Sequence, residues 1–241
     1  MTDFGIREIF DDTGTFPSGG WLEKFCSEMV RKKLNKKVLF SCNFRYDYLT
    51  HDRAKMMKRA GFRLMKMGLE SANQDTLDRL KKGTVVADIE KGCRIAKQAG
   101  LEVHLTMMVG YPWETRKDME RTVSLARKLM DNGLASMLQS TVIMPYPGTP
   151  LYDEAVREEW FLINPNDYEN MDMSQPILKV SDMSPSQVKS ACQKIYTSFL
   201  SPRYVFHQAS SIRNIQDIYY YLRGLKPVFG HLRDFGKKTT V

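Results

Sequence analysis

The chain has 241 residues, 42% of them hydrophobic, a formal net charge of +8 and four cysteines, enough for one α/β domain with a full core, alone or with a helical appendage. No run of about 18 apolar residues and no charged-then-apolar N-terminus occurs, so a soluble cytoplasmic protein without a membrane span is expected. Cys26, Cys42, Cys93 and Cys192 show no CxxC spacing, against a disulfide framework or a self-contained metal site. The positive charge raises an anionic partner, yet its clusters carry no interleaved aromatics, against single-stranded nucleic acid.

Arg7–Asp12 reads as a strand ending in two carboxylates, and Thr13–Gly20 as the loop after it. Trp21, Phe25 and Met29 predict the buried stripe of a helix. Val38–Phe44 is a second strand. Thr50 is a candidate N-cap, with Leu49 as hydrophobic staple, for a helix carrying Met56, Met57 and Ala60 up to Gly61. Phe62–Leu69 is a third strand. Ser71 with Gln74 fits a capping box for a short helix through Leu77 and Leu80, and Val86, Ile89, Cys93 and Ala96 pattern another that stops at Gly100. Leu101–Val109 follows as the central strand. Then come a helix at Thr115–Met130 with Met119, Val123, Ala126 and Leu129 on one face, an Asn132-Gly133 terminator and a strand at Ser136–Met144.

Gly61, Gly100 and Gly133 each end a helix directly before an apolar strand, which predicts right-handed βαβ units and a parallel sheet. Five strands are too few for a closed eight-stranded barrel, so the sheet is open or lacks strands. Beyond Met144, Pro145, Pro147, Gly148 and Pro150 make a rigid turn, Leu151–Glu159 a helix and Phe161–Val180 an irregular connection. Ser184-Pro185-Ser186-Gln187 opens a tail helix with Ile195 and Phe199 inward before Pro202. Ile212, Ile215, Tyr219 and Leu222 pattern one more, and Gly236–Val241 a frayed end. This divides the chain into a barrel core, 1–160, and a linker with helical accessory region, 161–241.

In a parallel sheet the C-terminal strand ends share one face, so the loops at Asp11-Asp12, Asn43–Tyr46, Gly68–Ser71, Gly110–Thr115 and Pro145–Thr149 should converge. Carboxylates there can accept from an ammonium or from hydroxyls, Arg45 can pair with a carboxylate through its fork, and glycines let a planar group approach the backbone. Together they suit a small zwitterion joined to a ribose and a base. Simpler roles fit the same residues: Asp11-Asp12 capping a turn, Arg45 pairing with Asp47, Gly110 and Pro112 making a turn. Cys42, Cys93 and Met107-Met108 read as core. His104 and His51 read as structural or solvated, with no nucleophile beside them. No catalytic residue and no metal ligand is assigned.

EIFDDTGTFP, CNFRYDYLT, KRAGFRLMKMGLESANQDTLDRLKKG, MMVGYPWET and MPYPGTPLYDEA, in this order and spacing, resemble the radical S-adenosylmethionine (SAM) enzymes. The likeness is to the subgroup with an N-terminal cobalamin-binding domain, which includes the anaerobic magnesium-protoporphyrin monomethyl ester cyclases. It covers about residues 7–155 and extends more weakly into FLSPRYVF. The resemblance implies a partial TIM-like (β/α) barrel holding SAM against a [4Fe–4S] cluster, which yields a 5′-deoxyadenosyl radical that abstracts hydrogen from a small-molecule substrate, a porphyrin-like one being a candidate. By position it places Asp11 and Asp12 at the methionine amino group, Glu70 and Ser71 near the ribose, Gly110 and Glu114 in the adenine-side loop, and Tyr146 and Gly148 closing the site.

The departures shape the expectation. The CxxxCxxC loop of the resembled family, its first strand and the cobalamin domain are all absent, and Trp113 stands where the subgroup usually has glycine. An N-terminally truncated chain is therefore expected, inactive without the cluster motif, with an unpaired sheet edge at Arg7–Asp12 through which it could dimerise. The enzyme of which it is part would cyclise, methylate or similarly modify an unactivated carbon. The competing readings are a non-enzymatic α/β module binding RNA or another anionic partner, and a structural domain whose strand-end residues only build turns.

Overall fold

The structure, a computed structural model, describes residues 4–196, 201–212 and 218–219. Its elements run β1 (Glu8–Asp11), α1 (Gly20–Arg31), β2 (Leu39–Asn43), α2 (His51–Arg59), β3 (Phe62–Glu70), α3 (Gln74–Arg79), α4 (Val86–Gln98), β4 (Glu102–Val109), α5 (Arg116–Asp131), β5 (Met137–Val142), α6 (Pro150–Arg157), α7 (Pro185–Tyr196) and α8 (Pro202–Ser211). The strands form one parallel sheet in the order β1-β2-β3-β4-β5, each followed by a helix, the partial (β/α) barrel class expected. β1 pairs with β2 from Glu8↔Leu39 to Asp11↔Cys42. β2 pairs with β3 from Phe40↔Phe62 to Asn43↔Lys66, with a register shift between Phe40 and Ser41. The middle strand is β3 rather than β4, because the chain adds strands in sequence order from β1.

Two compact units divide the chain: Met1–Leu69, Leu77–Thr106 and Gly133–Gln139 make the first, and Glu70–Thr76, Met107–Asn132 and Ser140–Val241 the second. In the first, Phe16, Phe25, Phe40 and Phe62 pack edge-on or tilted, with ring centroids 5.0–6.0 Å apart. The buried stripe of α1 is Leu22, Cys26 and Met29, rotated by one residue from the expected one. Trp21 is 52% exposed and stacks on Phe25 at 5.3 Å. In the second unit α7 and α8 pack on α5, and the Tyr196 hydroxyl donates to the Ser140 carbonyl at 2.9 Å while accepting from Ser140 N–H at 3.1 Å.

Most helix starts follow their local signals. Thr50 accepts from the Arg53 N–H, and Gln187 Oε1 accepts from the Ser184 N–H at 2.8 Å. Thr115 forms a capping box with Asp118, its hydroxyl accepting from the Asp118 N–H and its own N–H donating to the Asp118 carboxylate. The expected Ser71–Gln74 box gives way: α3 begins at Gln74, so Asn73 stands at the N-cap position and Ser71 turns elsewhere. α8 starts at Pro202, where the sequence had marked only the end of the preceding helix. Phe199, Ile215, Leu222 and Gly236–Val241 lie outside the described residues. Among the described residues no helix is long and apolar enough to cross a membrane.

Candidate functional site

In the first unit, local polar bonds shape the ends of β1 and β2. Asp11 Oδ1 accepts from the Thr13 N–H at 3.1 Å and from the Thr13 hydroxyl, closing a turn directly after the strand. Asn43, at the end of β2, donates to Asp12 Oδ1 at 3.2 Å and to the Thr13 carbonyl at 2.6 Å, which holds the β1 loop against β2. Asp12 is exposed. The Arg45 fork is occupied: Nε and Nη2 donate to the two Asp47 oxygens at 2.9 and 2.8 Å, and the guanidinium lies 5.1 Å from the Tyr48 ring centroid.

In the second unit, the loop after β3 and the loop after β4 are tied through a buried carboxylate. Glu114 is 2% exposed, and its Oε1 accepts from the Ser71 hydroxyl at 2.6 Å, the Thr76 hydroxyl at 2.8 Å and Asn73 Nδ2 at 3.1 Å. Ser71 Oγ in turn accepts from the Asn73 N–H at 3.1 Å, and the Thr122 hydroxyl accepts from the Ala72 N–H at 2.9 Å, so α5 joins the node. Trp113 Nε1 donates to Thr76 Oγ1 at 3.2 Å, which gives the residue in the usual glycine position a bond of its own. Three side chains of one short stretch, Ser71, Asn73 and Thr76, thus converge on one oxygen of a residue far along the chain. That is the arrangement a buried carboxylate needs to offset its desolvation.

Ser71 is wholly buried, so its hydroxyl and the Glu114 carboxyl face the protein, while Glu70 beside them is only half-buried. Glu70 has φ 57°, a left-handed conformation unusual for a glutamate, at the strand-to-loop exit. Tyr111, which stacks on Trp113 at 5.4 Å, is fully buried, and among the described residues neither its hydroxyl nor Asn73 Oδ1 has a hydrogen-bond partner. Desolvation, then the nearby charges of Glu70 and Glu114, push the Tyr111 phenol well above its ordinary range.

Gly110 has φ 88°, and the position a Cβ would take lies 2.9 Å from Val188 Cγ1, so packing as well as the turn demands glycine there. Gly148 has φ 82°, and among the described residues nothing lies within 4 Å of that position. Tyr146 is 55% exposed. Sequence reasoning named Glu114 and Ser71 without their bond, and missed Asn73, Thr76 and Thr122. Only the Ser71–Asn73 spacing carried a local signal.

The donor set of each unit, taken by itself, offers a carboxylate to a ligand's amine or hydroxyls: Asp12, exposed, in the first and Glu70, half-buried, in the second. It does not fit an iron–sulfur cluster, which needs three thiolates on one loop. All four cysteines are buried, and among the described residues no three His, Cys, Asp or Glu could share a metal. Burial raises their thiols, to about 11 at Cys26 and about 12 at Cys93 and Cys192.

A family model described as "Radical SAM superfamily" matches residues 2–126. An uncharacterized methyltransferase of Pyrococcus horikoshii is 29% identical over 200 residues, 82% of this chain and 41% of its own length. The anaerobic magnesium-protoporphyrin IX monomethyl ester cyclase of Cereibacter sphaeroides is 27% identical over 84% of this chain and 32% of its own. The chain thus spans about two-fifths or less of these curated relatives. Among solved structures, the cobalamin-dependent SAM radical enzyme OxsB with aqua-cobalamin and SAM superposes with a TM-score of 0.60 at 16% identity, covering 94% of this chain and 39% of that one. The radical SAM methyltransferase TsrM from Kitasatospora setae, with tryptophan and a SAM analogue, gives 0.53 at 16% identity, covering 75% and 40%. At such identities the superpositions speak for the fold, and the family match covers more than half of the sequence. The chain belongs to the radical SAM superfamily.

Proposed function

We propose that this chain is the SAM-binding barrel part of an enzyme that modifies an unactivated carbon of a small molecule, by oxidative cyclisation, methylation or a related reaction, in the cytoplasm. The observation that carries the reading is the Glu114 node, which fixes the two loops after β3 and β4 in one arrangement. Preorganised loops spare a ligand the entropy of ordering them. In this reading Glu70 accepts from the ribose hydroxyls, the Gly110–Glu114 turn supports the adenine side, and Tyr146 and Gly148 cover it. Ser71 and Glu114, being buried, act by positioning. In the first unit Asp12, with Asp11 holding its turn, accepts from the methionine ammonium, and Arg45 is kept from ligand by Asp47.

Bound SAM supplies the hydrogen-abstracting chemistry of this superfamily. The chain's own residues bind and orient it; in this reading other residues of the enzyme hold cobalamin, and also the [4Fe–4S] cluster, for which the buried thiols here are unsuited. The tetrapyrrole enzymes among the relatives favour a porphyrin-like substrate.

Isothermal titration of the chain with SAM tests this. Binding that weakens at least about tenfold in Asp12→Asn and in Glu70→Gln is expected, since each removes a charge-assisted acceptor. Absence of SAM binding in a folded chain refutes the reading. Anaerobic incubation with iron and sulfide should leave the chain without cluster absorbance, and a stoichiometric cluster would overturn the claim that its thiols cannot hold one.

A further inference from the structure

The face of the first unit's sheet opposite the buried Val103 and Leu105 is polar: Glu102, His104 and Thr106 alternate with them along β4 and are half-buried. At one end of this face Arg63 takes up two carboxylates. Its Nε and Nη2 donate to Glu8 Oε1 at 3.0 and 2.7 Å, its Nη1 donates to Glu102 Oε2 at 2.9 Å, and the Ser41 hydroxyl donates to Glu8 Oε1 at 2.5 Å. Two residues further along the same face stand Phe10 after Glu8, and His104 after Glu102. The Lys66 ammonium lies 6.0 Å from the Phe10 ring centroid. Among the described residues Lys66 has no carboxylate partner, and the His104 ring makes no hydrogen bond.

Burial, and then the charge of Lys66, hold the His104 imidazole down at about 4. It is therefore neutral at ordinary pH, with one N–H to donate. The carboxylates on this face are already spent on Arg63, so the tier beside them carries a positive charge without an anion.

We propose that Lys66 and His104 receive a carboxylate of a small-molecule ligand on this face, the ammonium and the imidazole N–H each donating to one oxygen, with Phe10 as an apolar wall. One cation and one neutral donor match a monoanion with two oxygens. The proposal goes beyond the reading above, since it requires only a carboxylate. Two sources carry that chemistry: the substrate, or the methionine end of SAM.

The test is a titration of the full chain, labelled at its histidine rings, with sodium propionate against chloride at matched ionic strength, followed by nuclear magnetic resonance. The His104 signal is the one lost in His104→Gln. A saturable shift of that signal is expected in the native chain and in Lys66→Arg, and its loss in Lys66→Met. SAM is then added in place of propionate: a His104 shift at lower concentration assigns the site to the methionine carboxylate, and SAM binding measured calorimetrically without a His104 shift assigns it to substrate. No saturable propionate shift, or an equal shift in Lys66→Met with the fold intact, overturns the proposal. Calorimetric SAM binding reports separately on the function proposed above.

Discussion

Gly110 tests how tightly the loop after β4 is held. Replacing it by Ala forces a side chain into a backbone with φ 88° and sets a Cβ 2.9 Å from Val188 Cγ1, 3.4 Å from Val142 Cγ1 and 3.8 Å from Ile143 Cγ2. The left-handed backbone costs an L-residue roughly 1–2 kcal/mol, and overpacking against a closely fitted neighbour roughly 1–3 kcal/mol, so Gly110→Ala should destabilise by about 2–5 kcal/mol in sum. Gly148→Ala supplies the control in the same unit. It shares the positive φ of 82° with open space beyond, so only the backbone cost of roughly 1–2 kcal/mol applies. Urea unfolding monitored by tryptophan fluorescence gives the comparison, with ΔΔG taken from midpoints at unchanged slope. Val188→Ala in the Gly110→Ala background should recover part of the loss, and the double-mutant cycle should show an interaction of about 1–3 kcal/mol. Equal losses at Gly110 and Gly148, or a cycle with no interaction term, would refute the claim that α7 closes over this turn.

Three further outcomes follow from the geometry. Thr115→Ala removes the hydroxyl that caps α5 and should cost about 1 kcal/mol in the same assay, with Thr115→Ser nearly neutral. His104 has a folded-state value of about 4 against an ordinary 6.5, so the unfolded chain takes up its proton first. Stability should therefore fall as pH drops from about 6.5 to about 4, by roughly 3 kcal/mol over the window, and His104→Gln should flatten that slope; an unchanged slope would contradict the burial and charge assigned to it. All four thiols are buried and raised, so a thiol reagent at pH 8 should label the native chain slowly and four cysteines rapidly in urea. Fast native labelling of Cys26 or Cys42 would show that unit opening.

Gly61, Gly100 and Gly133 all take the positive φ of a helix stop, Thr50 and Thr115 cap, and every strand lies within about two residues of its expected bounds, because these features rest on neighbours in sequence. The Arg45–Asp47 pair is equally local, two residues apart, and the structure realises it. The error at α1 has the opposite origin. Trp21-Phe25-Met29 and Leu22-Cys26-Met29 are both apolar at helical spacing, and which of them turns inward depends on where the sheet lies.

The sequence by itself determined the alternation of strands and helices, the parallel sheet that follows from it, and the set of loops at the strand ends, since period, glycine stops and caps act within a few residues. Tertiary structure alone decided what the polar residues on and around the sheet do. Ser71 and Glu114 are 43 positions apart and Lys66 and His104 lie on different strands, so nothing local foretold that one pair would be buried as a strut and the other left without an anion. A carboxylate is a ligand or a strut according to whether its solvation comes from water or from donors brought to it by the fold, and only the packed chain fixes that difference.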